Sequence, residues 1–248
     1  MIRIGAVSYL NAAPLVAGLA ENPQVDPLLD VPSRLAERLA SGELDVGLIP
    51  TIEYFRGENY EMIPGVGICS NGPVLSVLLL AAKSISELKT IALDPSSRTS
   101  VMLTRIILEK YYGLGPVYID GDSVDTIHTG RADAVLLIGD KAMTADAAGL
   151  DTHDLGAIWT ERTRLPFVYA VWACRQGADI DKITGIVLNA MESGLATRTW
   201  LAAEGAARLG LAEEVCYKYL TENILYEIGD AESDGMRLFG ELAQALDA

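Results

Sequence analysis

Gly42-Glu-Leu-Asp45-Val-Gly-Leu-Ile49 and Gly130-Arg-Ala-Asp133-Ala-Val-Leu-Leu-Ile138 read the same way: helix end, glycine, aspartate, apolar strand. Glycine stops a helix at little cost, and a short continuous apolar run marks a strand buried on both faces. The repeated joint suggests two lobes of similar construction. Such joints recur in many α/β proteins, so the repeat speaks of architecture and not of function.

Outward from these joints, short apolar runs alternate with amphipathic segments for most of the chain, the pattern of α/β layers. Ile2 to Val7 reads as the first strand, and Asn11-Ala-Ala-Pro14 opens a helix expected to run through Leu15 to Leu19. Ser33 can cap a helix whose Leu35 and Leu39 share a face. Thr90 to Leu93 is a strand, Asp94 to Ser100 a polar turn, and Val101 to Tyr112 a helix stopped by Gly113. Phe167 to Cys174 is a further strand, and from Asp179 onward the pattern is nearly all helical, with Leu188, Met191 and Leu195 at helical spacing. That stripe suits either a dimer face or the protomer's own core, which leaves the oligomeric state open. Apolar runs give way to polar residues near Ala82-Lys83 and Cys174-Arg175, so the expected lobes are 1–82 with 175–248, and an inserted 83–174. Two crossings make a hinge, and the cleft between the lobes is the expected ligand site.

Composition narrows the partners. The 248 residues are 50% hydrophobic and 21% charged, which excludes a disordered chain or a small stapled scaffold. Three cysteines without CxxC spacing and two histidines, His128 and His153, make neither a disulfide framework nor a metal site. With 19 Lys and Arg against 34 Asp and Glu the formal charge is −15, a field that repels nucleic acid. The longest apolar stretch, Val77 to Ala82, is far short of the ~20 residues needed to span a bilayer, so no membrane partner is expected. The opening MIRIGAVSYLN lacks the features of an export signal, and a cytoplasmic location is the expectation.

Three polar turns follow strands: Ser8-Tyr9-Leu10-Asn11, Cys69-Ser70-Asn71-Gly72-Pro73, and Ser96-Ser97-Arg98-Thr99. The first and third lead into helices, where free N–H groups and the macrodipole favour anions. Hydroxyl-rich turns of this kind suit a carboxylate ligand, even on an acidic protein, because salt screens distant charge beyond about 8–10 Å.

Four stretches, Ile4-Gly-Ala-Val-Ser-Tyr-Leu-Asn-Ala-Ala-Pro-Leu15, Leu93-Asp-Pro-Ser-Ser-Arg-Thr-Ser100, Leu136-Leu-Ile-Gly-Asp140 and Leu165-Pro-Phe-Val-Tyr-Ala-Val-Trp172, together resemble the chorismate dehydratase family of the futalosine route to menaquinone. The resemblance implies a two-lobed α/β fold of the type II periplasmic-binding-protein kind, used as a cytoplasmic enzyme with its substrate in the cleft. The implied reaction removes the ring C3 hydrogen and C4 hydroxyl of chorismate as water, leaving an enolpyruvyl-oxy-benzoate, and requires no cofactor. Family members carry Thr and a longer polar or basic residue between the Asn and the Pro, where this chain has Ala12-Ala13, so no hydroxyl role is available at position 12.

Asn11 is the candidate catalytic residue, hydrogen-bonding the leaving hydroxyl or a carboxylate; a helix cap before Pro14 is its structural alternative, and both roles can coexist. Candidate substrate-binding residues are Ser8, Ser70, Asn71, Ser96, Ser97, Arg98, Thr99 and Asp140. Tyr9 is placed between a binding role and an ordinary strand end. Arg98 either pairs with a substrate carboxylate or bridges to a protein acid, and Asp140 is either a base or orienting group, or a helix cap. With no His-based acid/base pair in view, the substrate's own enolpyruvyl carboxylate is the alternative base. Competing readings are a non-catalytic binder of small carboxylates and a related enzyme on the same scaffold, such as a dihydroxynaphthoate synthase.

Overall fold

The computed structural model describes residues 1–247. From the amino end the chain lays down β1 (Ile2–Ala6), α1 (Ala13–Val16), β2 (Val25–Leu29), α2 (Pro32–Ser41), β3 (Val46–Pro50), α3 (Thr51–Arg56) and β4 (Tyr60–Ser70). It crosses over for β5 (Val77–Ala81), β6 (Thr90–Leu93), α4 (Arg98–Arg105), β7 (Val117–Asp120), α5 (Asp125–His128), β8 (Ala134–Ile138), α6 (Gly139–Thr144), β9 (Asp151–Asp154) and α7 (Leu155–Thr163). It returns with β10 (Phe167–Arg175), α8 (Ile180–Ala196), α9 (Arg198–Leu209), α10 (Glu213–Lys218), β11 (Leu225–Glu227) and α11 (Asp230–Asp247).

Two sheets result, ordered β11-β4-β10-β3-β1-β2 and β7-β6-β8-β5-β9. Each holds a parallel trio, β2-β1-β3 or β7-β6-β8, extended by an antiparallel strand, β10 or β5. The lobes are therefore built alike, as the repeated joint suggests, but their boundaries lie elsewhere than at 82/83 and 174/175. β5 pairs with β8 and β9 in the second sheet, and β10 pairs with β3 and β4 in the first. The crossings thus fall between Ser70 and Val77 and between Thr163 and Phe167. An apolar run announces burial in a sheet, and its partners decide which one.

The two joints do the same physical work. Gly42 and Gly130 take the left-handed conformation, φ 79° and 70°, that ends the preceding helical segment. Asp45 then accepts the Arg3 N–H at 2.8 Å, pairs with its guanidinium, and donates its own N–H to Arg3 O at 2.9 Å, fastening β3 to β1. Asp133 accepts the N–H groups of Lys89 and Thr90 at 2.8 and 3.1 Å, pairs with Lys83 Nζ, and donates to Thr90 O, fastening β8 to β6. In both places an aspartate staples the start of one parallel strand to the start of its neighbour.

Local details differ from expectation for physical reasons. The helix after Asn11 is a 3-10 turn, Leu10–Ala12, followed by a single α turn that stops at Val16, because Ala17 is extended and Gly18 has φ 76°. Ser33 caps nothing: Pro32 occupies the first position of α2, and Val31 stands before it. The helical carboxyl third is interrupted by β11, which adds to the edge of the first sheet beside β4. Leu188, Met191 and Leu195 are partly buried against the protomer's own core. The three cysteines are free and buried, and among the described residues no helix is long and apolar enough to cross a membrane.

The staples are titratable. The Arg3 side-chain bond holds the Asp45 carboxyl below its ordinary value of 3.8, and the Lys83 bond, with the Lys89 N–H, does the same for Asp133. Groups so depressed contribute fully above the unfolded-state value and lose their contribution as pH falls through the lower folded value. The double variant Asp45→Asn/Asp133→Asn should therefore be less stable at neutral pH and show a flatter loss of stability below pH 3.8, measured by urea unfolding across an acid series. Parallel curves for variant and wild type would refute the staple.

Candidate active site

A narrow cleft, partly open to solvent, lies between the lobes, walled by the loop after β1, the ends of β3 and β10, the Val74–Val77 crossing, the start of α4 and the end of β8. Its floor is built by close packing. Leu10 is fully buried against α9, where Gly205 leaves no side chain in its way, and Pro14 rests on α8 at Gly194, where a Cβ would collide with the Pro14 carbonyl. These two glycines clamp the short turn that carries Asn11. Asn11 lines the cleft, and its Oδ1 is buried with no protein partner among the described residues. A buried carbonyl left in this state costs about 1–3 kcal/mol, which a ligand or water can recover.

Across the cleft, Asp94 shapes the turn after β6: its carboxylate accepts the Ser96 N–H and hydroxyl at 2.9 and 2.6 Å, and its carbonyl accepts the Ser97 N–H. The chain then enters α4 with no side-chain cap, and Ser97, Thr99 and Ser100, all nearly inaccessible, line the wall. Uncapped N–H groups and hydroxyls on one helix end favour an anion over a cation.

The structure thus gathers Asn11, Ser97, Arg98 and Thr99 around one cleft. Ser8, Ser70, Asn71, Ser96 and Asp140 stand apart from its wall. Ser8 is exposed on an outer groove with Trp200 and Arg208, and Asn71 is exposed at the tip of its turn. Ser70 is buried behind the wall, bonded to the Tyr169 hydroxyl at 2.9 Å and to Gly72 O, so it supports Tyr169. Ser96 is engaged by Asp94. Arg98 lines the cleft, but its guanidinium is already paired, with Glu53 at 2.8 Å and Glu37 at 2.6 Å. Asp140 neither caps α6, whose N-cap is Ile138, nor lines the cleft; it accepts the Leu10 N–H at 2.9 Å and pairs with Arg208 at 2.7 Å.

Those engaged residues serve another purpose. Arg98 belongs to the second lobe and its acids to the first; Asp140 belongs to the second lobe, and Leu10 and Arg208 to the first; Thr99 Oγ1 also accepts the Ile52 N–H across the gap at 3.2 Å. Together they tie the lobes on either side of the cleft. The Tyr9 ring packs on Gly139 from the opposite lobe, and burial, with Asp94 and Asp140 nearby, pushes its hydroxyl pKa up.

Sequence reasoning passed over Ser76, Tyr169 and Tyr219. Ser76 and Tyr169 line the cleft, and Tyr219 donates to Ser76 Oγ at 2.7 Å from the core. The available signals were a lone serine inside the apolar run Pro73–Ala82 and a tyrosine inside the strand Leu165–Trp172. Among the described residues that line the cleft there is no Asp, Glu or His.

Two α/β lobes of like topology, joined by two crossings with a cleft between them, define the class of proteins with the periplasmic-binding-protein fold. A solved protein of Archaeoglobus fulgidus has this fold with TM-score 0.79 at 19% identity, covering 99% of this chain and 97% of its own. The periplasmic aliphatic sulphonate binding protein of Escherichia coli has it with TM-score 0.68 at 19% identity, covering 99% and 87%. Residues 2–245 match the menaquinone biosynthesis family, and the chain belongs to that family. A chorismate dehydratase of Thermus thermophilus is 31% identical, covering 96% of this chain and 93% of its own, and one of Campylobacter jejuni is 28% identical, covering 98% and 97%.

If the ion pairs hold the lobes together, Arg98→Ala/Arg208→Ala should enlarge the radius of gyration measured by small-angle X-ray scattering in low salt. The difference should shrink near ~1 M salt, where the screening length falls to ~3 Å. Equal radii in low salt would show that apolar contacts alone set the spacing.

Proposed function

We propose that the chain is a hydro-lyase that converts chorismate to 3-[(1-carboxyvinyl)oxy]benzoate and water within menaquinone biosynthesis. The observation that carries this reading is a cleft with hydroxyl and helix N–H donors on one wall and an unpartnered amide carbonyl on the other, in a chain of the menaquinone biosynthesis family. Two related proteins named chorismate dehydratase match nearly its full length.

The chemistry follows from what the walls offer. The start of α4, with Ser97, Thr99 and Ser100, takes a substrate carboxylate through N–H and O–H donors. Asn11 faces the ring hydroxyl that leaves from C4, while apolar Leu48, Pro50 and Ile68 cover the ring and keep water away. The C3–H electrons become the new ring double bond, the C4–O bond breaks with its pair on oxygen, and aromatisation drives the step. With no carboxylate or imidazole of the protein among the described lining residues, the substrate's own enolpyruvyl carboxylate takes the C3 proton. The protein's contribution is then orientation, a term worth up to ~10⁵–10⁸ M in effective concentration. Ser70, Arg98 and Asp140 act through the wall and the ties between lobes, apart from the substrate.

Purified protein mixed with chorismate should yield the benzoate with loss of one water, followed by chromatography and mass. Asn11→Ala should lower kcat by about 10²–10³-fold, as for loss of one positioned polar group. Asp140→Asn should keep activity within about tenfold, and a fall of ~10²–10⁴-fold would instead make Asp140 a general base. Chorismate left intact by wild-type protein would sink the dehydratase reading in favour of a carboxylate binder or a different enzyme.

A further inference from the structure

We infer that α7 is the hinge pin between the lobes, with Leu75 on one crossing and Arg164 on the other as its two pivots, left-handed while the cleft is closed and released from that conformation as it opens. The motion belongs to the fold and is the same whichever small acid enters the cleft.

Among the described residues only three non-glycine positions have a positive φ: Asn59, Leu75 and Arg164. Asparagine visits the left-handed region readily, because its short polar side chain bonds locally; leucine and arginine lack that help, and their Cβ crowds the following carbonyl. Leu75, at φ 62°, lies in the first crossing, and Arg164, at φ 63°, in the second. The left-handed ends of α2 and α9 are made by Gly42 and Gly210, whereas the left-handed end of α7 is made by an arginine. Backbone strain of this kind persists only where the surroundings impose it, and it gathers at sites that switch. Here each crossing carries one such residue.

The surroundings that impose it are α7 and the ties between lobes. The first crossing runs along α7: the Gly72 N–H donates to Thr160 Oγ1 at 2.9 Å, and the Val74 and Leu75 N–H groups donate to the Asp154 carboxylate at 3.0 and 2.8 Å. A Cβ on Gly156 would come within 2.8 Å of Gly72 O, so helix and crossing meet backbone to backbone. At the other end of α7 the Arg164 N–H donates to Thr160 O at 2.9 Å, and Nε1 of the fully buried Trp159 donates to Pro166 O at 3.1 Å. The Trp159 ring also meets Phe167, the first residue of β10, edge-on at 5.1 Å. One helix thus grips both crossings, while Arg98–Glu53 and Asp140–Arg208 hold the lobes together beside the cleft. Opening breaks those pairs and turns the backbone at a few crossing residues. A residue that already carries the left-handed penalty gains by leaving it, so rotation at Leu75 and Arg164 partly offsets the lost pairs.

Arg164 is exposed, and its side chain makes no hydrogen bond or ion pair among the described residues, so substitution there acts on the backbone. Glycine adopts the left-handed region freely, and β-branched valine resists it more than arginine does. Spin labels on Leu29→Cys and Val117→Cys report the distance between lobes, since both positions are exposed and lie on β2 and β7, the sheet edges farthest from the crossing strands. The native cysteines are buried. In the Arg98→Ala/Arg208→Ala background, the ratio of open to closed molecules should fall about tenfold in Arg164→Gly and rise in Arg164→Val. Leu75→Asn, with a side chain that tolerates the left-handed region, should lower the ratio as Arg164→Gly does. Throughout, exchange protection of the Trp159 indole N–H should stay within about threefold, because the pin does not open. Distance distributions that are identical across the Arg164 series, whether all closed or all open, would overturn the inference, and a change in melting temperature alone would make Arg164 an ordinary helix end. A ratio unmoved in Leu75→Asn, or an indole that loses protection in the opened variants, would place the axis elsewhere and overturn it as well. The measurement uses no substrate, so it decides the hinge whether or not the protein acts on chorismate.

Discussion

Each lobe is completed by a strand that reaches it across the divide, and this exchange is the constraint on which the cleft depends. β5 follows β4 in sequence yet pairs with β8, and β10 comes back from the second lobe to lie between β3 and β4. The chain must then cross twice, at Ser70–Val77 and at Thr163–Phe167, and the crossings run beside the space between the sheets. Groups on the crossing, Val74, Ser76 and Val77, become cleft lining because of where the strand is going. The aspartate staples at Asp45 and Asp133 hold the parallel trios from which the loops of the cleft emerge.

The electrostatic design divides labour between charged and neutral groups. The chain carries a formal charge of −15, yet apart from Arg98, which is paired with Glu37 and Glu53, the cleft wall is made of hydroxyls, an amide, helix N–H groups and apolar side chains. The nearby charges are paired with one another across the lobes: Arg98 with Glu37 and Glu53, Asp140 with Arg208. On the proposed reading, neutral donors would hold a carboxylate without the strong, salt-sensitive field of a free arginine, and the ion pairs are left to tie the lobes.

Much of this was legible in the residues and some was not. The repeated Gly–Asp joint, the polar turn after β6 and the Asn11 turn depend on local chemistry, such as a left-handed glycine or a helix start, and local chemistry is written in adjacent residues. Ser8 and Asn71 carry the same kinds of polar atom as Asn11 and Ser97, but the pleat and the turn send them outward. Arg98 and Asp140 looked like ligand-binding charges because their partners Glu37, Glu53 and Arg208 lie 45 or more residues away. Tyr219 left no local trace at all, since its meaning comes from Ser76, 143 positions distant.

By itself, then, the sequence determined the α/β class, the two-lobe plan, the net acidic charge and the polar turns that follow β1 and β6, since periodicity, charge and helix-end chemistry act over a few residues. Only the tertiary structure decided which sheet each apolar strand joins, which polar side chains face the cleft, and which charges are spent tying the lobes. Those outcomes depend on pairing between distant segments, and a hydrogen bond has a direction only once both of its partners are in place.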